Sequence, residues 1–420
     1  MTILPGTVSV TLLPGHNMTI FSLKESKAPG EIPDNCKQII KKYAENGMFD
    51  SSYMFKSNEF LSIYFLMTQD CQGKCPYCYQ PKEFRCVDKE LTQKVIDDTM
   101  TFLFKNFPEQ KIKFSLFGGE PLLNFDMVKY IVENYSMIRT SITTNGLAIN
   151  DNPEIKEFLM THSASLNVSV SVGAQKFMYP RSEFIERIQP AIEVIKATRG
   201  DAHFVVDNPT DTKVLDEIKY LYDQGIVVRC STVRHSDTLK KYTKEYIELF
   251  KKIADYIYFD GKPRFGQSAW YSVFKNNIYK RRKGIELQGF PPTFCGCGSL
   301  YIAVNHEGDI YPCDFFANYP EFKMGSVYEG INETALFFVK MKDWLDGIYE
   351  DCKNCTVVPD GDIRLCPRAM CLAENYTVSG NPLKPASNHC AANAIEFAIF
   401  DYIAQRSIET GIDEVYFGKR

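Results

Sequence analysis

The chain has 420 residues, with 48 Lys and Arg against 52 Asp and Glu and a formal net charge of −4; at roughly 100–200 residues per domain it holds two or three domains, which excludes a small disulfide scaffold. Its 45% hydrophobic and 24% charged residues exclude a disordered chain, and the negative balance disfavours a nucleic-acid partner. Residues 1–20 contain no Lys or Arg and are broken by Pro5 and Pro14, and no run reaches ~18 apolar residues, so a cytoplasmic protein away from the membrane is expected.

In chain order, residues 1–58 read as two short strands and a helix, Asn35 to Glu45, too little for a core of their own. They are expected to be an appendage, either a peptide-binding element working by strand addition or a plain structural cap. From Phe60 onward strand-like apolar runs alternate with helix-period segments. The runs are Phe60–Met67, Ile112–Phe117, Ile138–Thr144, Ser165–Val172, His203–Asp207 and Ile226–Ser231, the first continuous enough for a strand buried on both faces. Asp88 can cap a helix Lys89–Phe104, and Asn152 followed by Pro153 supplies a cap and a first helical residue. Six βα units over residues 59–285 imply a parallel sheet, doubly wound or an open barrel. A second unit, residues 286–420, begins where Gly and Pro become frequent. It should contain a hairpin, Leu300–Val304 turning through Glu307-Gly308-Asp309 into Ile310–Pro312, then a helix near Glu333–Asp346 and a closing helix Ala391–Ile408. The basic run Lys280–Lys283 either draws an acidic peptide or is a solvated face.

Fourteen cysteines in a cytosolic chain point to metal binding or redox chemistry. Cys71, Cys75 and Cys78 form a C-x3-C-x2-C loop directly after the first strand, where α/β folds place their sites. Three thiolates on one short loop can hold three irons of a cubane and leave the fourth iron open, whereas zinc needs a fourth ligand. Gly118-Gly119-Glu120-Pro121 ends the second strand; two glycines allow close backbone approach and a carboxylate suits an ammonium group, although a bare turn would use the same residues. The six histidines fall singly, and there is no H-E-x-x-H, P-loop or G-x-G-x-x-G, so metalloprotease, NTPase and nicotinamide chemistries lack their grips.

The cysteine loop and the Gly-Gly-Glu-Pro segment resemble those of radical S-adenosylmethionine (SAM) enzymes. The resemblance implies a partial (β/α)6 TIM-like barrel, a [4Fe–4S] cluster on Cys71, Cys75 and Cys78, and SAM held by its open iron. It further implies that Gly118, Gly119, Glu120 and Pro121 meet the methionyl amino group and that Tyr77 lies against the adenine. Asn145, in Thr144-Asn145-Gly146, and Ser171, the serine kept where the family often has Ser-Ile-Asp-Gly, are the remaining candidate contacts. Tyr77 could equally be a packing residue, and Asn145 part of a strand-ending turn.

The C-terminal cysteines resemble the SPASM auxiliary-cluster domain. That likeness implies two further [4Fe–4S] clusters, one on Cys295, Cys297, Cys313 and Cys371 and one on Cys352, Cys355, Cys366 and Cys390, with Cys295 either a ligand or absent from an open iron. Here the spacing is C-x2-C-x10-C-x4-C rather than the usual C-x2-C-x5-C-x3-C, and two structural zinc sites would use the same thiols. Cys36, Cys86 and Cys230 are left over. The combined resemblance implies cleavage of SAM to a 5′-deoxyadenosyl radical and modification of a ribosomally made precursor peptide with a leader, fed by a one-electron reductant such as flavodoxin or ferredoxin. Cys366 to Cys371, Asn375, Gly380 and Asn388 to Cys390 look like thioether (ranthipeptide) maturases, which join Cys sulfur to carbon. Cys313-Asp314-Phe315 looks like anaerobic sulfatase maturases, in which the aspartate acts as base in making formylglycine, although Asp314 could simply solvate the hairpin end. The same cysteines would also suit a maturase that forms C–C crosslinks, or a non-catalytic iron–sulfur or zinc scaffold.

Overall fold

The computed structural model describes residues 60–80, 89–108, 110–233, 238–260, 297–298, 300–332, 334–337, 355, 371–382 and 384–411, and the backbone of three strands at residues 2–4, 8–12 and 19–23. Those three, β1 (Thr2–Leu4), β2 (Val8–Leu12) and β3 (Thr19–Leu23), form a small antiparallel sheet, one strand more than expected. The expected helix Asn35–Glu45, the cap Asp88, the run Lys280–Lys283, most of the helix near Glu333–Asp346, and Cys36, Cys86, Cys295, Cys352 and Cys366 lie outside the described residues.

The six expected strands are all present: β4 (Phe60–Leu66), β5 (Lys111–Phe117), β6 (Thr140–Thr144), β7 (Leu166–Val170), β8 (Asp201–Val206) and β9 (Val227–Thr232). They pair in parallel in their chain order. Doubly wound sheets reverse strand order at a switch point; this sheet does not, so that expectation is set aside. The connecting helices are α1 (Gln93–Asn106), α2 (Phe125–Asn134), α3 (Leu147–Asp151), α4 (Pro153–Thr161), α5 (Phe184–Arg187), α6 (Gln189–Thr198), α7 (Val214–Asp223), α8 (Thr238–Lys241) and α9 (Thr243–Ala254). Asn152 caps α4 as expected, its side chain accepting from Glu154 N at 3.0 Å, with Pro153 at the first position. α1 starts four residues later than expected, capped by Thr92 through Val95 N.

β4, expected to be buried on both faces, instead alternates in burial, whereas β5 carries three buried residues in a row, Phe114, Ser115 and Leu116. In β4, Leu61, Ile63 and Phe65 are fully buried while Ser62, Tyr64 and Leu66 are half-covered. The same alternation gives β6, β7 and β8 a half-covered face bearing Ser141, Thr143, Asn167, Ser169 and His203. The apolar face packs under the helices; the polar face is left for a site.

The expected hairpin is β10 (Tyr301–Val304) and β11 (Asp309–Tyr311), turned by Asn305, whose side chain accepts from Glu307 N and Asp309 N at 3.0 and 2.9 Å. β10 does not stand apart: it pairs in parallel with β4, Tyr301 beside Ser62 through Val304 beside Phe65. With β12 (Gly325–Ser326) and β13 (Gly330–Ile331) it extends one ten-stranded sheet, ordered β13-β12-β11-β10-β4-β5-β6-β7-β8-β9. Two helices follow, α10 (Leu372–Ser379) and α11 (Ser387–Thr410), the latter starting four residues before the expected Ala391 and packing on α8 and α9.

Candidate active site

The loop leaving β4, residues 67–80, is wound tightly by its own polar groups. Thr68 Oγ1 accepts from Asp70 N at 3.0 Å, Asp70 Oδ1 accepts from Cys71 N at 2.8 Å, and Cys78 N donates to Cys75 O at 3.3 Å. Cys71 and Cys75 are half-buried and Cys78 is exposed, so the three thiols share one accessible loop.

The segment leaving β5 is bolted to that loop. Gly119 N donates to Thr68 O and Glu120 N to Asp70 O, both at 2.8 Å. A Cβ on Gly119 would lie 2.1 Å from Asp70 O, and one on Gly118, at φ +129°, 2.5 Å from Thr68 O. The two glycines therefore let one loop backbone lie against the other. Pro121 is buried at the start of a 3₁₀ turn, residues 121–124. Glu120 is 1% exposed. Its Oε1 accepts from Thr144 Oγ1 at 2.6 Å and Leu122 N at 3.1 Å, and its Oε2 accepts from Asn145 N at 2.7 Å. Burial outweighs these donors and pushes its pKa up to about 7.

Asn145, after β6, completes this bracket. Its Oδ1 accepts from Leu147 N, the first residue of α3, at 2.9 Å, and its Nδ2 points at Cys71 Sγ, 3.7 Å away. Gly146, at φ +79°, turns the chain where a Cβ would strike Val170 and Gln175. Ser171, after β7, donates its N–H to Thr144 O at 2.8 Å and leads into a 3₁₀ segment, Val172–Phe177.

That segment lies over the cysteine loop, and its Gln175, Lys176 and Phe177, with Met178 after them, went unread in the sequence. Gln175 is fully buried and donates to Asn145 O at 2.8 Å. The edge of Phe177 meets Tyr77, with centroids 5.7 Å apart, and Met178 Sδ accepts from Lys74 N at 3.3 Å. Lys176, its side chain 3% exposed, is ion-paired with Asp207 and lies 5.0 and 5.5 Å from the Phe177 and Phe204 ring centroids. A lysine in an apolar stretch gave no period to read. Burial, then Cys75 and Asp207, holds the Tyr77 hydroxyl well above its ordinary pKa.

The C-terminal hairpin reaches the loop through Tyr79. Its hydroxyl donates to Asp314 Oδ2 at 2.7 Å and its ring stacks on Phe315 at 4.6 Å and 14°. Burial, then Asp314, keeps this phenol well above its usual pKa. Gly298 N donates to Pro312 O at 2.9 Å, which sets the buried Cys297 beside the buried Cys313. Cys371 precedes α10. Burial, and next the neighbouring Cys355, push the Cys390 thiol up, so those two thiols are near one another. Cys230 is buried in β9, where burial pushes its thiol up to about 12. Among the described residues no three His, Cys, Asp or Glu side chains close around a point as a single metal ion requires. A cubane asks for something else, thiols standing apart at separate corners with room for the cluster, and Cys71, Cys75 and Cys78 share one loop on which none of them is fully buried.

Residues 65–208 match the model of the Radical SAM superfamily. The cysteine-type anaerobic sulfatase-maturating enzyme of Clostridium novyi is 22% identical over 338 residues, 70% of this chain and 84% of that protein. The radical SAM cyclopropyl synthase TigE of Paramaledivibacter caminithermalis is 24% identical over 189 residues, 40% of this chain and 39% of that protein. A solved structure described as native anSMEcpe with bound AdoMet superposes with a TM-score of 0.62 at 19% identity, covering 84% of this chain and 99% of its own, a likeness of fold. No helix among the described residues is long and apolar enough to cross a membrane.

Proposed function

Starting from a chain whose residues 65–208 are a radical SAM domain, and which is thus an enzyme of a superfamily that uses SAM and a [4Fe–4S] cluster, we propose that it matures a ribosomally made peptide by joining a Cys sulfur to carbon. Cys71, Cys75 and Cys78 hold the cluster, and SAM bound there supplies a radical able to remove hydrogen from unactivated carbon. Gly118, Gly119, Glu120, Pro121, Asn145 and Ser171 line the cofactor, with Tyr77 against its base. The polar face of β6, β7 and β8 receives the peptide inside a partial (β/α)6 barrel, and residues 1–58 serve as a peptide-binding element. Residues 286–420 form a SPASM domain in which Cys297, Cys313 and Cys371, with Cys295, and Cys355 and Cys390, with Cys352 and Cys366, hold two more clusters.

The observation that carries this reading is the Tyr79–Asp314 hydrogen bond. It ties a carboxylate that follows Cys313 to the first cysteine loop, and on this reading that carboxylate takes the proton of a substrate thiol as its sulfur forms a bond. The same carboxylate, together with the Clostridium novyi relative, favours a second reading, oxidation of a Cys or Ser side chain to formylglycine. Anaerobically reconstituted protein is incubated with SAM, a reductant and the short peptides encoded beside it. A product that has lost two hydrogens and kept its sulfur supports thioether formation; formylglycine with no crosslink overturns it.

A further inference from the structure

The charged side chains of the six parallel strands all fall on one face. Among the described residues of β4 to β9 they are Lys111 and Lys113 of β5, Asp201 of β8 and Arg229 of β9. The register carries that face across the sheet: Lys113 lies beside Ser62, Ser115 beside Ser141, Ser141 beside Asn167, Ser169 beside Asp201, and His203 beside Arg229. It is the polar face, opposite the one packed under the helices. Three cations stand on it against one carboxylate, so it is positive although the chain as a whole carries −4.

The pair Arg229–Asp201 is not an ordinary solvated ion pair. Arg187 and Glu183 show what that looks like here: one helical turn apart, 50% and 43% exposed, and worth little. Asp201 is 6% exposed, whereas Arg229 is 58% exposed. The carboxylate is held from two sides, Oδ1 accepting from Ser169 Oγ at 2.7 Å and Oδ2 accepting from Arg229 Nη2 at 2.9 Å. A buried acid fixed in this way aims the guanidinium without consuming it, because the bond takes one of five N–H donors and the exposed fork is shaped for a second carboxylate. Beside it His203 Nε2 and Ser231 Oγ are paired at 2.9 Å, which keeps the neighbouring surface polar. Arg229 also stands three residues before the end of β9, ~10 Å short of the carboxyl end of its strand, a place for holding a substrate.

We infer that Arg229, aimed by Asp201 and Ser169, is a specificity residue that anchors a carboxylate of the bound peptide. This rests on the function proposed above only in taking the substrate to be a peptide. Lys111 and Lys113 give the same face the sign that draws an acidic segment to it.

The test measures how fast phenylglyoxal modifies Arg229 in the full reconstituted chain, without reductant, by mass spectrometry of the digested protein. Arg187 serves as the internal control. The probes, at one high concentration, are N-acetylglutamate α-methylamide, N-acetylglutamine α-methylamide, N-acetylalanine and inorganic phosphate. The glutamate probe is expected to slow modification of Arg229 several-fold and to leave Arg187 alone, while the glutamine probe protects neither. Protection by N-acetylalanine in place of the glutamate probe assigns the carboxylate to a chain end rather than an acidic side chain, and supports the anchor equally. Equal rates with the glutamate and glutamine probes and with N-acetylalanine overturn the inference, and so does phosphate protecting as well as the carboxylates. D201N, with its fold checked by circular dichroism, should lose the preference for acid over amide, and the milder S169A should weaken it; full preference in both shows that Asp201 does not aim the fork. No bond to carbon forms in this measurement. Formylglycine in place of a thioether therefore sinks the proposed function and leaves the anchor standing, whereas equal rates sink the anchor alone.

Discussion

At Glu120 a single carboxylate is asked to do opposing things. It is shut away from water, which disfavours its charge, yet three donors from two different strand ends aim at it. Burial wins, and its pKa rises from 4.5 to about 7. The sign of the linkage follows. The folded chain keeps a proton that the unfolded chain releases near 4.5, so the contribution of this group to stability is present in full below that pH and is lost as pH rises through about 7. The span is on the order of 3 kcal/mol. Thermal unfolding of wild type and E120Q should therefore diverge between these two pH values, the wild-type midpoint falling relative to the variant; parallel curves would show that the carboxyl is already ionised when buried. Tyr77 and Glu120 could be singled out in the sequence because their neighbours form contiguous motifs. Lys176 and Asp207 were not, since they come from two separate strand ends and only the fold makes them a pair.

Elements explain what individual residues do not. Read alone, Gly118-Gly119 suggests a backbone opened for a ligand. In the fold the close partner of Gly119 is Asp70 of the cysteine loop, so β4 and β5 exits are packed as one unit. G119A must push the cysteine loop away, a backbone clash that belongs with the exceptional substitutions costing about 4 kcal/mol or more. Iron per chain after reconstitution should drop together with the urea midpoint; full iron content in a stable G119A would show that the two exits can part. Asn375 is a second case, read from the sequence as a mark of peptide maturases. It is fully buried, donating to Pro382 O at 3.1 Å and accepting from Ala386 N at 3.1 Å, and so fixes the turn between α10 and α11. N375A strands both groups and should destabilise by about 1–3 kcal/mol, seen as a lower urea midpoint with no change in the EPR spectrum of the first cluster. The strands were legible because buried apolar runs bounded by Gly, Asn and Pro have few other readings. Their one-sided burial was not, because alternation in β6 and β7 is carried by Thr, Ser and Asn, which hydropathy alone treats as loop.

At the scale of the whole molecule, the boundary expected near residue 285 is crossed by hydrogen bonds. β10 shields the edge of β4, pairing residue for residue from Ser62 to Phe65, and α11 from the chain's end covers α8 and α9. Sequence could place the hairpin but not its neighbour, since a parallel partner more than 200 residues away leaves no local signal. The two units are thus coupled through the same strand that delivers the cysteine loop. A fragment ending at residue 285 would expose the long apolar edge of β4, a template for pairing with another copy. It should aggregate or elute as large species in size-exclusion chromatography, and hold less than the ~4 irons that one cubane requires. The full chain with the proposed auxiliary cysteines replaced by Ala still contains β10 and should retain those irons; on the reading proposed above, which has two further clusters, it loses the rest of a total of ~12. If the fragment instead elutes as a monomer with a complete cluster, β10 is an ornament of the sheet, and the tie through Tyr79 and Asp314 must carry the coupling by itself.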